Sequence, residues 1–177
     1  MSKVLCPLAF LMMAAAPARA GEMKPGLVGE YFDRLFALAD FPTISDTEKA
    51  DVKRVDAQID WPLTNGGFAG TQIVDYCYAR WSGKIIVPRD GKYTLFLNSD
   101  DGSRAFVDGV QIVDNSGTHA TQEKSGEVEL KAGAHDLKVE FIENENGAEC
   151  HLSWQGPQIE KQIVPATAFS HDVDAEK

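Results

Sequence analysis

Apolar and polar residues alternate along most of the chain beyond its first twenty positions. Tyr93, Leu95 and Leu97 alternate with Thr94, Phe96 and Asn98, and Leu137, Val139 and Phe141 alternate with Asp136, Lys138 and Glu140. A period of two puts every second side chain on one face, so these runs predict strands with one side turned inward. Turn chemistry separates them. Pro88-Arg89-Asp90-Gly91 divides Ile85-Ile86-Val87 from the Tyr93 strand, and Lys131-Ala132-Gly133 divides Val128-Glu129-Leu130 from the Leu137 strand. Asp108-Gly109 joins Ala105-Phe106-Val107 to Val110-Gln111-Ile112, which suits a tight hairpin whose central residues need positive φ. Many short strands at this spacing predict an all-β fold, an antiparallel sandwich or barrel. Helix is scarce. Ser45 to Arg54 offers one short segment, with Ser45 as cap and Glu48 three residues on. Residues 21–170 read as one domain and 171–177 as a polar, frayed tail.

The first twenty residues break the pattern. Lys3 precedes an almost unbroken apolar run from Val4 to Ala16, and Ala18-Arg19-Ala20 offers the small-x-small site that signal peptidase reads. A signal peptide over 1–20, cleaved near Ala20, predicts a secreted or periplasmic protein. No later stretch is apolar and long enough to cross a bilayer. Loss of Lys3 and Arg19 takes the basic residues from 17 to 15 against 27 acidic ones, and the formal charge from −10 to −12. That balance argues against nucleic acid or an anionic membrane as partner, since both need a basic face. Two cysteines remain, Cys77 and Cys150, and an even pair in an oxidising compartment predicts a disulfide between neighbouring strands. Neither cysteine has a second ligand at zinc spacing.

Catalytic signatures are missing. There is no Gly-x-Ser-x-Gly elbow and no zinc-protease helix motif. Gly66-Gly67-Phe68-Ala69-Gly70 lacks the dinucleotide fingerprint and reads as a flexible loop, and the four histidines are scattered. The expectation is a non-enzymatic module. Trp61, Trp81 and Trp154 each end or follow an apolar run and read as core residues. The one arrangement that asks for an explanation is Ser99-Asp100-Asp101-Gly102. Adjacent carboxylates repel when both are ionised, and in extended backbone they point to opposite faces. They reach one ion only if the chain bends sharply between them, through a turn or a cis peptide. Calcium, which takes six to eight oxygens, suits such a pair. A plain polar turn, with each Asp bonded to nearby amides, stays open as the other reading. The EF-hand pattern fails, because Ser103 and Gly109 stand where that loop needs its glycine and its glutamate.

Several motifs in order carry a resemblance. Gly26-Leu27-Val28-Gly29-Glu30-Tyr31-Phe32 opens the domain, and Arg80-Trp81-Ser82-Gly83 and Gly91-Lys92-Tyr93-Thr94-Leu95-Phe96 follow. Ser99 to Arg104, Val107-Asp108-Gly109, Leu130 to His135 and Leu152-Ser153-Trp154 complete the set. In that order and spacing they resemble the PA14 domain, named after anthrax protective antigen, over about Gly26 to Phe169. The resemblance implies a β-sandwich and an extracellular module often linked to carbohydrate binding. In the family's adhesin branch, two adjacent aspartates joined by a cis peptide hold calcium, which holds sugar hydroxyls. Asp100 and Asp101 match that pair. A further ligand falls within Glu143-Asn144-Glu145-Asn146, which makes Glu143, Asn144 and Asn146 candidates for metal, and Asn144 and Asn146 for the sugar. Calcium is the implied cofactor, and a glycan or cell-surface polysaccharide the implied partner. A protein-interaction or structural envelope module, with calcium structural or no metal, is the alternative. The adhesin loop's sugar-touching aromatic residue has no counterpart in Glu143 to Gly147.

Overall fold

The predicted runs are strands in the computed structural model, which describes residues 21–45 and 47–176. The expected signal peptide, 1–20, lies outside the described residues. In chain order the strands are β1 (Met23–Pro25), β2 (Leu27–Asp33), β3 (Val52–Asp56), β4 (Asp60–Thr64), β5 (Cys77–Val87), β6 (Gly91–Asp100) and β7 (Ser103–Val107). Then follow β8 (Val110–Asn115), β9 (Gln122–Leu130), β10 (Gly133–Glu143), β11 (Ala148–Gly156), β12 (Ile159–Ile163) and β13 (Phe169–Asp172). They form two antiparallel sheets. One runs β1-β13-β5-β10-β7-β8, with β2 on β5 and β3 on β2; the other runs β12-β11-β6-β9, with β4 on β11. The fold is the expected all-β antiparallel sandwich.

Alternation explains the core. Tyr93, Leu95 and Leu97 of β6 and Leu152 and Trp154 of β11 turn inward against Trp81, Val139 and Phe141 of the facing sheet. Each large side chain buried there is worth roughly 1.5–3 kcal/mol. Phe68, expected in a flexible loop, is 0% exposed and stacks on Phe141 with ring centroids 4.4 Å apart. The other face of the larger sheet carries Phe32, Tyr78 and Ile142. Residues of the 34–51 loop cover them, Phe41 being buried and Leu38 and Ile44 partly so.

Four expectations need correction. Among the described residues no helix lies between Ser45 and Arg54: Glu48 N–H donates to Ser45 C=O, but Val52–Asp56 pairs with Leu27–Tyr31 as a strand. The C-terminal residues do not fray at 171. Ser170 pairs with Lys84, and His171, 1% exposed, pairs with Lys24. Nor is the Phe68 segment a flexible loop. Finally, Cys77 and Cys150 are free, buried thiols rather than a disulfide. Cys77 starts β5 opposite Glu143 and Asp33, whereas Cys150 lies on β11 opposite Ser99 and Trp61, so their strands belong to different sheets. Burial pushes both thiols well above the usual range, which suppresses the reactive thiolate. Alkylation in denaturant without reductant should label Cys77 and Cys150 once each, whereas the native protein should react far more slowly. Peptide mass mapping reads both; two unlabelled sites in denaturant would restore the disulfide.

Candidate cation and ligand site

Four connections cross from one sheet to the other at the same end of the sandwich. They are Asp101-Gly102 between β6 and β7, 116–121 between β8 and β9, 144–147 between β10 and β11, and 65–76 between β4 and β5. The first is two residues long, which forces the sharp bend that the sequence demanded at the aspartates. The Asp100–Asp101 peptide bond is cis. Gly102 is needed for contact: a Cβ there would lie 2.7 Å from the Gly117 carbonyl oxygen.

Asp100, Asp101 and Glu143 each present a carboxylate oxygen within 4.8 Å of the others. Asp101 is 3% exposed and Glu143 0%, while Asp100 is half-buried. Backbone amides from three crossings hold the group. Asp101 Oδ1 accepts from His119 N–H at 2.7 Å and its Oδ2 from Asn144 N–H at 3.0 Å. Asp100 Oδ2 accepts from Thr121 N–H at 3.2 Å, and Glu143 Oε2 from Asp101 N–H at 3.1 Å. Glu143 Oε1 is buried with no hydrogen-bond partner among the described residues. Below, Ser99 and Ser103 hydroxyls lie 2.7 Å apart, and Asn115 Nδ2 donates to Ser99 Oγ at 3.0 Å.

Electrostatics reports the crowding. Burial first, then the charges of Asp101 and Asp100, push the Glu143 carboxyl up to about 8. Asp100 is raised as well, by burial and by Asp101. Three carboxylates that repel one another around a buried, unpaired oxygen fit a hard divalent cation, which would supply the missing counter-charge.

Of the loop candidates, Glu143 therefore joins the two aspartates. The Asn144 side chain faces elsewhere: its Oδ1 accepts from Leu38 N–H at 2.6 Å, and its Nδ2 donates to Leu38 C=O and Thr118 Oγ1. Asn146 is exposed, with φ of 82°, on the rim. Sequence reasoning missed Tyr76, Leu35 and Phe36. Tyr76 N–H donates to Asn144 C=O at 3.0 Å, and Arg34 N–H donates to Tyr76 C=O at 2.9 Å. Leu35 and Phe36 follow that anchor and are 85% and 76% exposed. The available signal was the apolar run Leu35-Phe36-Ala37-Leu38-Ala39, which has no strand alternation.

The PA14 domain model matches residues 23–168. Over 143 residues, 80% of this chain, the sequence is 29% identical to the anti-sigma-I factor RsgI3 of Acetivibrio thermocellus; the chain spans 21% of that protein's length. Among solved structures, the PA14 domain of the antifreeze protein MpAFP superposes with a TM-score of 0.75 at 13% identity, over 89% of this chain and 96% of that one. A PA14 sugar-binding domain from an RTX adhesin gives 0.68 at 18% identity, over 83% and 98%.

Proposed function

Since the chain belongs to the PA14 domain family, we propose that it is an exported carbohydrate-binding module whose site is completed by calcium. Asp100, Asp101 and Glu143 would hold the ion. Bound there, calcium supplies open coordination positions for neighbouring sugar hydroxyls. The protein's own part is to converge three carboxylates through backbone amides, so that little reorganisation accompanies binding. The observation that carries the reading is Glu143 Oε1, buried and unpaired beside two further carboxylates. The likeness to a sugar-binding domain supports it. The acidic surface favours neutral glycans over anionic ones.

A saccharide array probed with the protein in calcium and in excess chelator tests this. Neutral glycans should be retained in calcium and lost in chelator. No retained glycan in calcium, or retention indifferent to chelator, rejects the reading. One observation favours the alternative of a protein-binding module: Leu35 and Phe36 expose apolar surface beside the site.

A further inference from the structure

The chain has five asparagines, and the fold ties up the side-chain amides of three: Asn98, Asn115 and Asn144. Asn98 Nδ2 donates to Glu149 Oε1 at 3.3 Å, Asn115 Nδ2 to Ser99 Oγ and to the Gln122 carbonyl oxygen, and Asn144 Nδ2 to Leu38 C=O and Thr118 Oγ1. The other two, Asn65 and Asn146, are exposed, and their side chains make no hydrogen bond among the described residues. Both line one cleft of about 430 Å³ between the 65–76 and 144–147 crossings, together with Asp75 and Glu145. Each is followed by glycine, as Asn65-Gly66 and Asn146-Gly147.

Asparagine is thermolabile, because the backbone nitrogen of the next residue can attack its Cγ. Glycine, with no Cβ, leaves that attack least hindered. The two steps differ in the nucleophile. Gly66 N–H donates to Thr64 Oγ1 at 3.0 Å, a bond it must give up to attack. Gly147 N–H has no acceptor among the described residues. Packing gives a reason for glycine at this place: a Cβ on Gly147 would lie 2.8 Å from Leu63 Cδ1. We infer that Asn146 is a site of spontaneous deamidation, which turns the amide rim of the cleft acidic. The Gly147 nitrogen bonds to Asn146 Cγ while the Cγ–Nδ2 bond breaks, and the Gly147 proton goes to the departing nitrogen, which leaves as ammonia. Water then opens the cyclic imide, at one carbonyl to give aspartate and at the other to give isoaspartate. Aspartate keeps the turn, since it tolerates a φ of 82° as asparagine does. Isoaspartate puts an extra methylene into the main chain of the 144–147 crossing, two residues from the Asn144 N–H that holds Asp101. Either product replaces an amide donor by a carboxylate beside Asp75 and Glu145, in a cleft lined by no lysine or arginine. The inference stands apart from the carbohydrate reading, since it needs neither cation nor glycan.

The test incubates the full chain at pH 8, native and in urea, and follows both steps by peptide mass mapping. The mass gain of an amide turned to an acid reads the conversion, and labelling by an isoaspartate methyltransferase reads the isoaspartate share. In urea the two Asn-Gly steps should convert at like rates. In the native chain Asn146 should convert about five- to tenfold faster than Asn65, since only Gly66 must break a hydrogen bond to attack. Gly147→Ala hinders the attack, and Leu63, 57% exposed, has room to move aside for the methyl group. In that variant Asn146 should convert no faster than Asn65. A native wild type in which Asn146 converts no faster than Asn65 overturns the inference, and this comparison within one chain stands whether or not the variant folds. Conversion that a folded Gly147→Ala leaves unchanged also overturns it, because water would then be hydrolysing the amide directly.

Discussion

Trp81→Ala should lower the free energy of unfolding by about 3–5 kcal/mol. The indole is 0% exposed and packs edge-on to Tyr31 at 5.9 Å and to Phe68 at 6.3 Å. Its truncation also breaks a polar knot inside the core. Asp56 Oδ2 accepts from Trp81 Nε1–H at 2.9 Å and from the Tyr31 hydroxyl, and Asp56 Oδ1 accepts from Arg54 Nε–H at 2.7 Å. Burial, then the Asp56 charge, raises the Tyr31 hydroxyl far above its usual range, so it remains a donor at every ordinary pH. Asp56→Ala should therefore be as damaging, at about 3–5 kcal/mol, because it strands two buried donors and a partly buried guanidinium. Asp56→Asn keeps the volume and one acceptor and should cost less, about 1–3 kcal/mol. The Trp81 and Asp56 changes share partners, so the double variant should lose less than their sum. Urea unfolding measures all of this. A Trp81→Ala loss under about 1 kcal/mol would place the residue outside the load of the core, at odds with the usual cost of truncating a buried aromatic.

The inward faces of β6 and β10 were legible because alternation is a local signal: Tyr93 to Leu97 and Leu137 to Phe141 state it within five residues each. The Asp108-Gly109 turn is equally local, and both residues have positive φ as the hairpin requires. What depends on distant partners was not legible. Ser45 and Glu48 make a capping signal, but the backbone of Val52–Asp56 finds better use against β2, and the strand wins. Phe32, Tyr78 and Ile142 look like errors of alternation beside Tyr31, Ala79 and Phe141. They are buried only because the 34–51 loop returns to cover them. Two cysteines in a chain expected to be exported suggest a bond by number alone, whereas the structure leaves both as free, buried thiols on separate sheets. At the site, the adjacency of Asp100 and Asp101 asked for a sharp bend, and the chain makes one there. The choice of Glu143 from a loop of oxygen donors was not legible, because it turns on which side chain faces the bend. Asn144, equally plausible on paper, spends its amide on Leu38 and Thr118.

Melting curves in excess calcium and in excess chelator should separate, and the gap should widen as pH rises. In chelator, Glu143 holds its proton in the folded chain up to about 8, while in the unfolded chain it titrates near 4.3. A folded-state value raised in this way contributes stability that is complete below the unfolded value and is lost as pH climbs through the folded one. Between those limits the folded chain binds one proton more, and the loss runs at up to about 1.4 kcal/mol per pH unit. Asp100, also raised, acts in the same direction. Calcium reverses the sign of the requirement, because it needs the carboxylates charged and must displace the proton to bind. Its apparent affinity should therefore rise with pH until Glu143 is fully ionised. At a hundredfold excess over its dissociation constant it should add about 2.7 kcal/mol to the folded state. Glu143→Gln isolates the effect. In chelator it should flatten the decline between pH 5 and 8 that wild type shows, a window set by the raised and unfolded values. In calcium it should remove most of the added stability. Asp101→Asn should weaken calcium binding without abolishing the pH decline, since Glu143 keeps its burial. Coincident wild-type curves in calcium and chelator at pH 8, with no calorimetric heat of binding, would leave three mutually repelling carboxylates with no cation to reward them. The Asp100–Asp101 bend would then be the plain polar turn that the residues alone allowed.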